Sequence, residues 1–326
     1  MILVVGATGQ LGGAIVRRLA ERGKPVAALA RSTSNRAFLD RLGVEIRIGD
    51  LTDGSTIDAA CRGIETIIAT ANAAVPSRKG DTFKAVDDLG YQNLIRAAKQ
   101  NNVRHFIYTS ALSHPDFDRL PIGRQKRLTE ERLIDSGIAY TIFRAEAFMD
   151  ISFPMMGSDI PVRGTEAATV QRPFWFTSKF FTSVKDGIAK TGVVGISGDG
   201  TTRHSYICVD DVAEFHVAAV DNPAARNRIF DIGGPEALSQ NDIHAIFEKV
   251  LGTKLKAKHT PAEMFKIGSL VLRPFSAAAA NIMGLNYHSA INSTQVDMSE
   301  TAKIFGVRLT SAEEFLSRKA GIQSGA

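Results

Sequence analysis

Between a short apolar run, Ile2–Val5, and an amphipathic stretch that starts at Gln10 stands Gly6-Ala-Thr-Gly9-Gln-Leu-Gly12. A strand that turns at once into a helix through three glycines is a narrow structural solution. Gly6 allows the tight turn, Gly9 lets the backbone approach a pyrophosphate, and Gly12 lets the helix pack closely on the sheet. A glycine triplet elsewhere in a chain is more often a plain turn. The strand before it and the helix after it give this one a phosphate-binding meaning, because the unpaired N–H groups of a helix N-terminus face an anion. The helix itself is legible, with Leu11, Ile15, Val16 and Leu19 on one face, Arg17, Arg18, Glu21 and Arg22 on the other, and Gly23 to end it.

The pattern repeats. Apolar runs at Ile2–Val5, Val26–Ala30, Glu45–Ile48, Thr66–Thr70, His105–Thr109 and Tyr140–Arg144 alternate with helical stretches, as a parallel sheet with crossover helices requires. The expected fold class is α/β, a Rossmann doubly wound parallel sheet with a smaller, mostly helical C-terminal lobe. Residues 1–150 form the expected dinucleotide-binding domain, and the chain leaves the sheet in the Pro- and Gly-containing segment Phe153–Pro173. Two later segments read as strand-bearing units returning to it: Tyr206–Val209 with a helix Asp210–Val220, and Arg228–Ile232. The lobe is then discontinuous, residues 151–204 and 234–326, with Asp242–Leu251 its clearest helix. Phe174, Trp175, Phe176, Phe180 and Phe181 cluster near the exit, read as lobe packing before a roof over a substrate.

Of the 326 residues, 44% are hydrophobic and 22% charged, an ordinary globular composition that excludes extensive disorder. The net charge of +5 is mild for this length, and the basic run at Arg124–Arg127 is followed by Glu130 and Glu131, so no nucleic acid partner is expected. Cys61 and Cys208 are too few for a disulfide framework or a zinc site; a reducing, cytoplasmic setting and no metal are expected. No apolar stretch approaches the roughly 20 residues that span a bilayer, so no membrane partner is expected. These 326 residues carry no recognisable signal or transit peptide.

The second strand ends at Ala30-Arg31-Ser32, about 20 residues after the glycines, where an NAD(H) site places an acidic group on the ribose. Arg31 is basic instead, suited to pair a 2′-phosphate and stack on adenine, with Ser32 adding a hydroxyl; NADP(H) is expected over NAD(H). The expected cofactor set also takes in Thr8, Gln10 and Leu11 of the loop. After the third strand, Asp50-Leu51 offers a carboxylate either for an adenine amino group or for a turn. Ala69, Thr70 and Ala71 leave room for a ribose, and Thr109 and Ser110 close the fifth strand. Phe148 and Met149 stand beyond the sixth strand, where ligands approach the carboxyl ends of a parallel sheet, and with Ser113 they are the expected substrate contacts.

Together the glycine loop, Gly49-Asp50-Leu51, His105–Ser110, the stretch Lys126–Arg144 and Tyr206-Ile-Cys-Val-Asp-Asp-Val-Ala resemble the atypical short-chain dehydrogenase/reductases, particularly the NmrA-like and isoflavone-reductase-like branch. Lys126–Arg144 is especially similar to cyanobacterial and chloroplast members that assist photosystem assembly. The resemblance implies a catalytic Ser after the fifth strand and a Tyr-x-x-x-Lys motif on the next helix. This chain has Ala111 at the first position and Ile122 four residues before Lys126. A phenol lowered in pKa by a neighbouring ammonium is therefore missing. Lys126 remains as the one expected catalytic or ribose-binding group, or else a solvated helix charge. Two functions follow as expectations: an NADPH-dependent reductase of a small organic substrate, or a non-catalytic NADP(H)-sensing regulator or assembly factor acting on a protein partner. Oligomeric state stays open.

Overall fold

The strands of the first half are short: the central ones are mostly apolar, because both faces of a parallel sheet are covered by crossover helices, whereas Glu45–Ile48 alternates polar and apolar residues. In the computed structural model, which describes residues 1–166, 175, 179 and 187–321, they are β1 (Ile2–Val5), β2 (Val26–Ala30), β3 (Glu45–Ile48), β4 (Thr66–Ala69), β5 (His105–Ala111) and β6 (Ala139–Ala145). Later strands are β7 (Val193–Ser197), β8 (Arg203–His204), β9 (Arg228–Ile232), β10 (Leu238–Ser239) and β11 (Lys256–Thr260). The main sheet has seven strands in the order β3-β2-β1-β4-β5-β6-β9, every neighbouring pair parallel. Every residue of β1, β2 and β4 is buried, whereas β3, on the edge, exposes Glu45 and Ile48.

One face of the sheet is covered by helices Gln10–Glu21 and Val209–Ala219, which pack Ile15, Leu19, Val212 and Phe215 into a common core with Val4 and Phe143. Arg18 pins the two helices together, donating to Asp210 at 2.7 Å and Glu214 at 2.8 Å. The opposite face buries Ile57, Tyr91, Leu94 and Leu133 against Leu3, Ile67 and Phe106. A third core, with Phe153, Ile196, Phe247 and Phe315, holds the C-terminal region together.

Arg228–Ile232 joins the sheet as expected, beside β6. Tyr206–Val209 does not form a strand: its one ladder contact is the bridge Phe148↔Ile207, and Val209 already opens the following helix. Buried extended backbone reads like a strand in sequence even where it has only one pairing partner. The helix expected at Asp242–Leu251 begins two residues earlier, at Gln240, where Ser239 and Asp242 form a reciprocal capping box. The C-terminal region is helical but includes two small sheets, parallel β7–β11 and antiparallel β8–β10. Phe174, Phe176, Phe180 and Phe181 lie outside the described residues; Trp175 is exposed. Among the described residues no helix is long and apolar enough to cross a membrane.

Candidate functional site

In this strand order the chain runs away from β1 in one direction through β2 and β3, and in the other through β4, β5 and β6. Crossover helices therefore leave the carboxyl ends of β1 and β4 on opposite faces and open a crevice between them. A cleft of about 590 Å³ lies there, continuing past β5 and β6 to helix Ala277–Ile291.

The glycine loop forms its floor. Gly6 sits at φ +90°, and a Cβ there would meet Thr70 Oγ1 at 2.6 Å. A Cβ on Gly12 would come within 2.1 Å of the Gly6 carbonyl oxygen, so the helix abuts the turn as closely as backbone permits. Gly9 caps helix Gln10–Glu21 without a side-chain hydrogen bond, and its first turn holds no acidic residue. Those N–H groups and the positive end of the helix suit an anion.

At the next strand end, Arg31 Nη1 donates to Asp81 Oδ1 at 2.8 Å. The other oxygen of Asp81 accepts from the backbone N–H of Ser77 at 3.0 Å and of Arg78 at 3.2 Å. Arg78 also donates to Asp50, whose second oxygen accepts from Thr52 N at 3.0 Å and Thr52 Oγ1 at 2.9 Å. The Asp50 carboxyl is held below its ordinary pKa by these bonds against its partial burial. Arg31, Asp50 and Asp81 thus line one side of the cleft, with Arg78 bound to both aspartates. Asp50 lines it as a turn residue already engaged on both oxygens, which is the turn alternative left open above.

Beyond β5 the chemistry changes. Ile122, on helix Pro121–Asp135, presents an apolar side chain to the cleft. Lys126, one turn on, lines the cleft while only 5% exposed, donating from Nζ to the Thr109 carbonyl at 2.7 Å. Its Nζ also lies 4.8 Å from the centre of the Tyr108 ring. Burial lowers its pKa to about 8, opposed by the negative charges of Asp87 and Glu130. Asp87, in the π-helical turn Phe83–Gly90, is itself pushed up to about 7 by burial and accepts from Ala73 N at 2.9 Å. The solvated-charge reading of Lys126 is thereby removed.

The hydroxyls expected at the end of β5 serve internal partners. Thr109 Oγ1 pairs with His216 Nε2 at 2.7 Å, and Ser110 donates to Glu130, itself ion-paired to Arg144 at 2.6 Å. Among the described residues lining the cleft the one tyrosine is Tyr206, whose phenol burial drives up, opposite to what a proton-donating phenol needs.

Of the expected residues, Gly6, Thr8, Gly9, Gln10, Leu11, Gly12, Arg31, Asp50, Leu51, Thr70, Ala71, Thr109, Ser110, Lys126 and Phe148 line the cleft. Four do not. Ser32 points to solvent and Ser34 lines the cleft in its place; Ala69 is fully buried in the sheet core. Ser113 is exposed and bonded to Asp118 at 2.6 Å. Met149 is buried in the C-terminal core, its neighbours Glu146 and Asp150 reaching the cleft instead. The wall supplied by helix Ala277–Ile291, with Ile282, Leu285, Asn286 and His288, carried no sequence signal. Its residues act at the site only through tertiary docking.

Comparison with known proteins places this arrangement. The chain is 27% identical to a photosystem II assembly factor, Ycf39, of Trieres chinensis over 322 residues, 96% of this chain and 91% of the relative. It is 28% identical to a (4-alkanoyl-5-oxo-2,5-dihydrofuran-3-yl)methyl phosphate reductase of Streptomyces griseus over 285 residues, 86% of this chain and 84% of the relative. The fold superposes on the Escherichia coli NADPH-dependent quinone oxidoreductase QOR2, solved with NADPH, with a TM-score of 0.71 at 20% identity, covering 98% of this chain and 99% of the other. The model of the NmrA-like family matches residues 1–316, and the chain belongs to that family.

Proposed function

We propose that the protein is an NADPH-dependent reductase of a small, largely apolar organic substrate. The observation that carries the reading is the buried Lys126 ammonium, lowered to about 8, lining the same cleft as the glycine loop. A reduced nicotinamide bound there supplies a hydride to the substrate. The chain holds the cofactor: the helix N-terminus takes the pyrophosphate, and Arg31, joined by Arg78, takes a 2′-phosphate. Lys126, fixed by the Thr109 carbonyl, donates a proton from Nζ to the substrate atom that gains negative charge. Ile122, Phe117, Phe148 and Ile282 keep water from that end of the cleft. The curated reductase at 28% identity supports this class of reaction.

The test is NADPH oxidation, followed by absorbance, across quinones, enones and other activated carbonyl compounds, after NADPH binding has been confirmed by titration. Steady consumption with one of these classes is expected. Tight binding without turnover across the set overturns the reading and favours a second one, a nucleotide-responsive assembly factor, for which Ala111, Ile122 and the internally bonded Ser110 hydroxyl speak.

A further inference from the structure

Helix Ala262–Leu272 is the least buried long helix described: Ala262 alone is buried, Gly268 and Ser269 face the neighbouring helix, and Glu263 and Lys266 are exposed. Ser269 donates to the Ala280 carbonyl at 2.8 Å, and Gly268 packs beside Met283, both on helix Ala277–Ile291. The outward face is largely apolar, interrupted by Glu263 and Lys266. Met264 is 60% exposed, Ile267 59%, Leu270 61%, Val271 59% and, just past the helix, Phe275 83%. Spacings of three and four residues put the first four on one continuous stripe. Exposed apolar residues scattered singly are ordinary, but four large ones on one face of a helix, with a fifth just past its end, mark an interaction surface.

Charge identifies what it meets. From Lys256 to Phe275 the chain has Lys256, Lys258, Lys266 and Arg273 against one acid, Glu263. Lys256 and Lys258 lie on β11, whose first four residues are all exposed and which among the described residues pairs only with β7. Lys256, Lys258 and Arg273 have no ion pair among the described residues. A net charge of three, against +5 for the whole chain, thus falls within the 20-residue segment that carries the apolar stripe. A second copy of this face is a poor occupant, since a two-fold contact would bring these cations together with only Glu263 to offset them.

We propose that this face docks on a membrane surface bearing anionic headgroups, with the apolar side chains entering the headgroup–acyl boundary and the lysines and Arg273 meeting lipid phosphates. The protein then lies on a bilayer without spanning it. The expectation of no membrane partner rested on span length, which does not bear on a helix lying along a surface.

The experiment is flotation of the full chain with vesicles of pure phosphatidylcholine and of phosphatidylcholine with about a third phosphatidylglycerol, composition chosen on the electrostatics above. The expected result is co-flotation with the anionic vesicles only, lost in high salt. Leu270→Glu with Phe275→Glu is expected to abolish it, and Lys256→Glu with Lys258→Glu to reduce it at least tenfold, on the order of the headgroup attraction of two reversed charges. None of these residues lines the cleft, so unchanged NADPH binding and melting temperature certify folded variants. No flotation with anionic vesicles overturns the proposal, as does equal flotation with uncharged ones. A dimer in solution that Leu270→Glu dissociates also overturns it, showing the face to be a contact between copies.

Discussion

The two ends of the cleft were built under different constraints. At the glycine-loop end the backbone does the work: a turn, a helix N-terminus and closely opposed main-chain atoms leave almost no freedom in residue choice. At the far end, side chains from β5, β6 and helices Pro121–Asp135 and Ala277–Ile291 set the chemistry, and there the usual serine and tyrosine positions hold Ala111 and Ile122. A backbone-built half tolerates little and so stays recognisable. A side-chain-built half can be re-equipped, here around one buried lysine.

The largest expected effect breaks the first half outright. Gly12→Val puts a branched side chain where even a Cβ lies 2.1 Å from the Gly6 carbonyl oxygen. Backbone cannot yield as a flexible side chain can, so the helix must move off the loop. NADPH binding by fluorescence titration should fall more than about 100-fold, the scale of losing several charge-assisted bonds. Binding within a few-fold of the parent would mean that the loop does not carry the pyrophosphate.

Lys126→Ala tests the other half. Removing a general acid typically costs about 10²–10⁴ in rate, so kcat should drop into that range while NADPH affinity changes only a few-fold. The parent should show the matching pH profile. On the proposed reading the lysine donates as ammonium, the form present below its pKa of about 8, so kcat should hold at lower pH and fall as pH rises through about 8. Asp87 raises that pKa, and Asp87→Asn should therefore move the falling limb to lower pH. A limb that stays put in Asp87→Asn would assign the titration to another group.

How legible each half was follows the same division. Strands buried on both faces announce themselves as unbroken apolar runs, and β1 and β2 match their expected bounds to the residue, as does β3, an edge strand in which Glu45 and Arg47 alternate with two isoleucines. The returning edge strand β9 was legible from its short run of Ile229, Phe230 and Ile232 broken by Asp231, whereas Tyr206–Val209 imitated a strand because burial rather than pairing dictates its composition. Lys126 was found by position, but whether it was a solvated charge depended on the packing of residues some 20 to 40 positions away, Thr109 and Asp87 among them. Met149 lies in the core and Glu146, which the sequence did not single out, lines the cleft, because backbone direction past β6 decides which side chain reaches it. Arg31 was singled out by its position after β2, yet its partner Asp81, fifty residues on, was not.

Smaller effects probe that pair. Arg31→Asp should weaken NADPH by about 10- to 100-fold, the worth of a hydrogen bond to a charged group, and leave NADH nearly unchanged. Equal affinity of the parent for both nucleotides would remove Arg31 from the specificity argument.

Asp81→Asn is the subtlest case, and its sign decides how the cation is used. Asp81 now neutralises Arg31 at 2.8 Å and also approaches Arg78 Nε at 3.3 Å, so a 2′-phosphate entering this corner competes with a carboxylate for both guanidiniums. The amide oxygen of Asn can still accept from the N–H groups of Ser77 and Arg78 and keep the loop in shape, while the competing charge is gone. NADPH should then bind about three- to tenfold more tightly, with NADH indifferent, within the modest worth of a partly exposed ion pair. If NADPH instead weakens, the carboxylate is an aiming device that holds Arg31 at the angle the phosphate needs, and even the adenosine end depends on a side chain placed from afar.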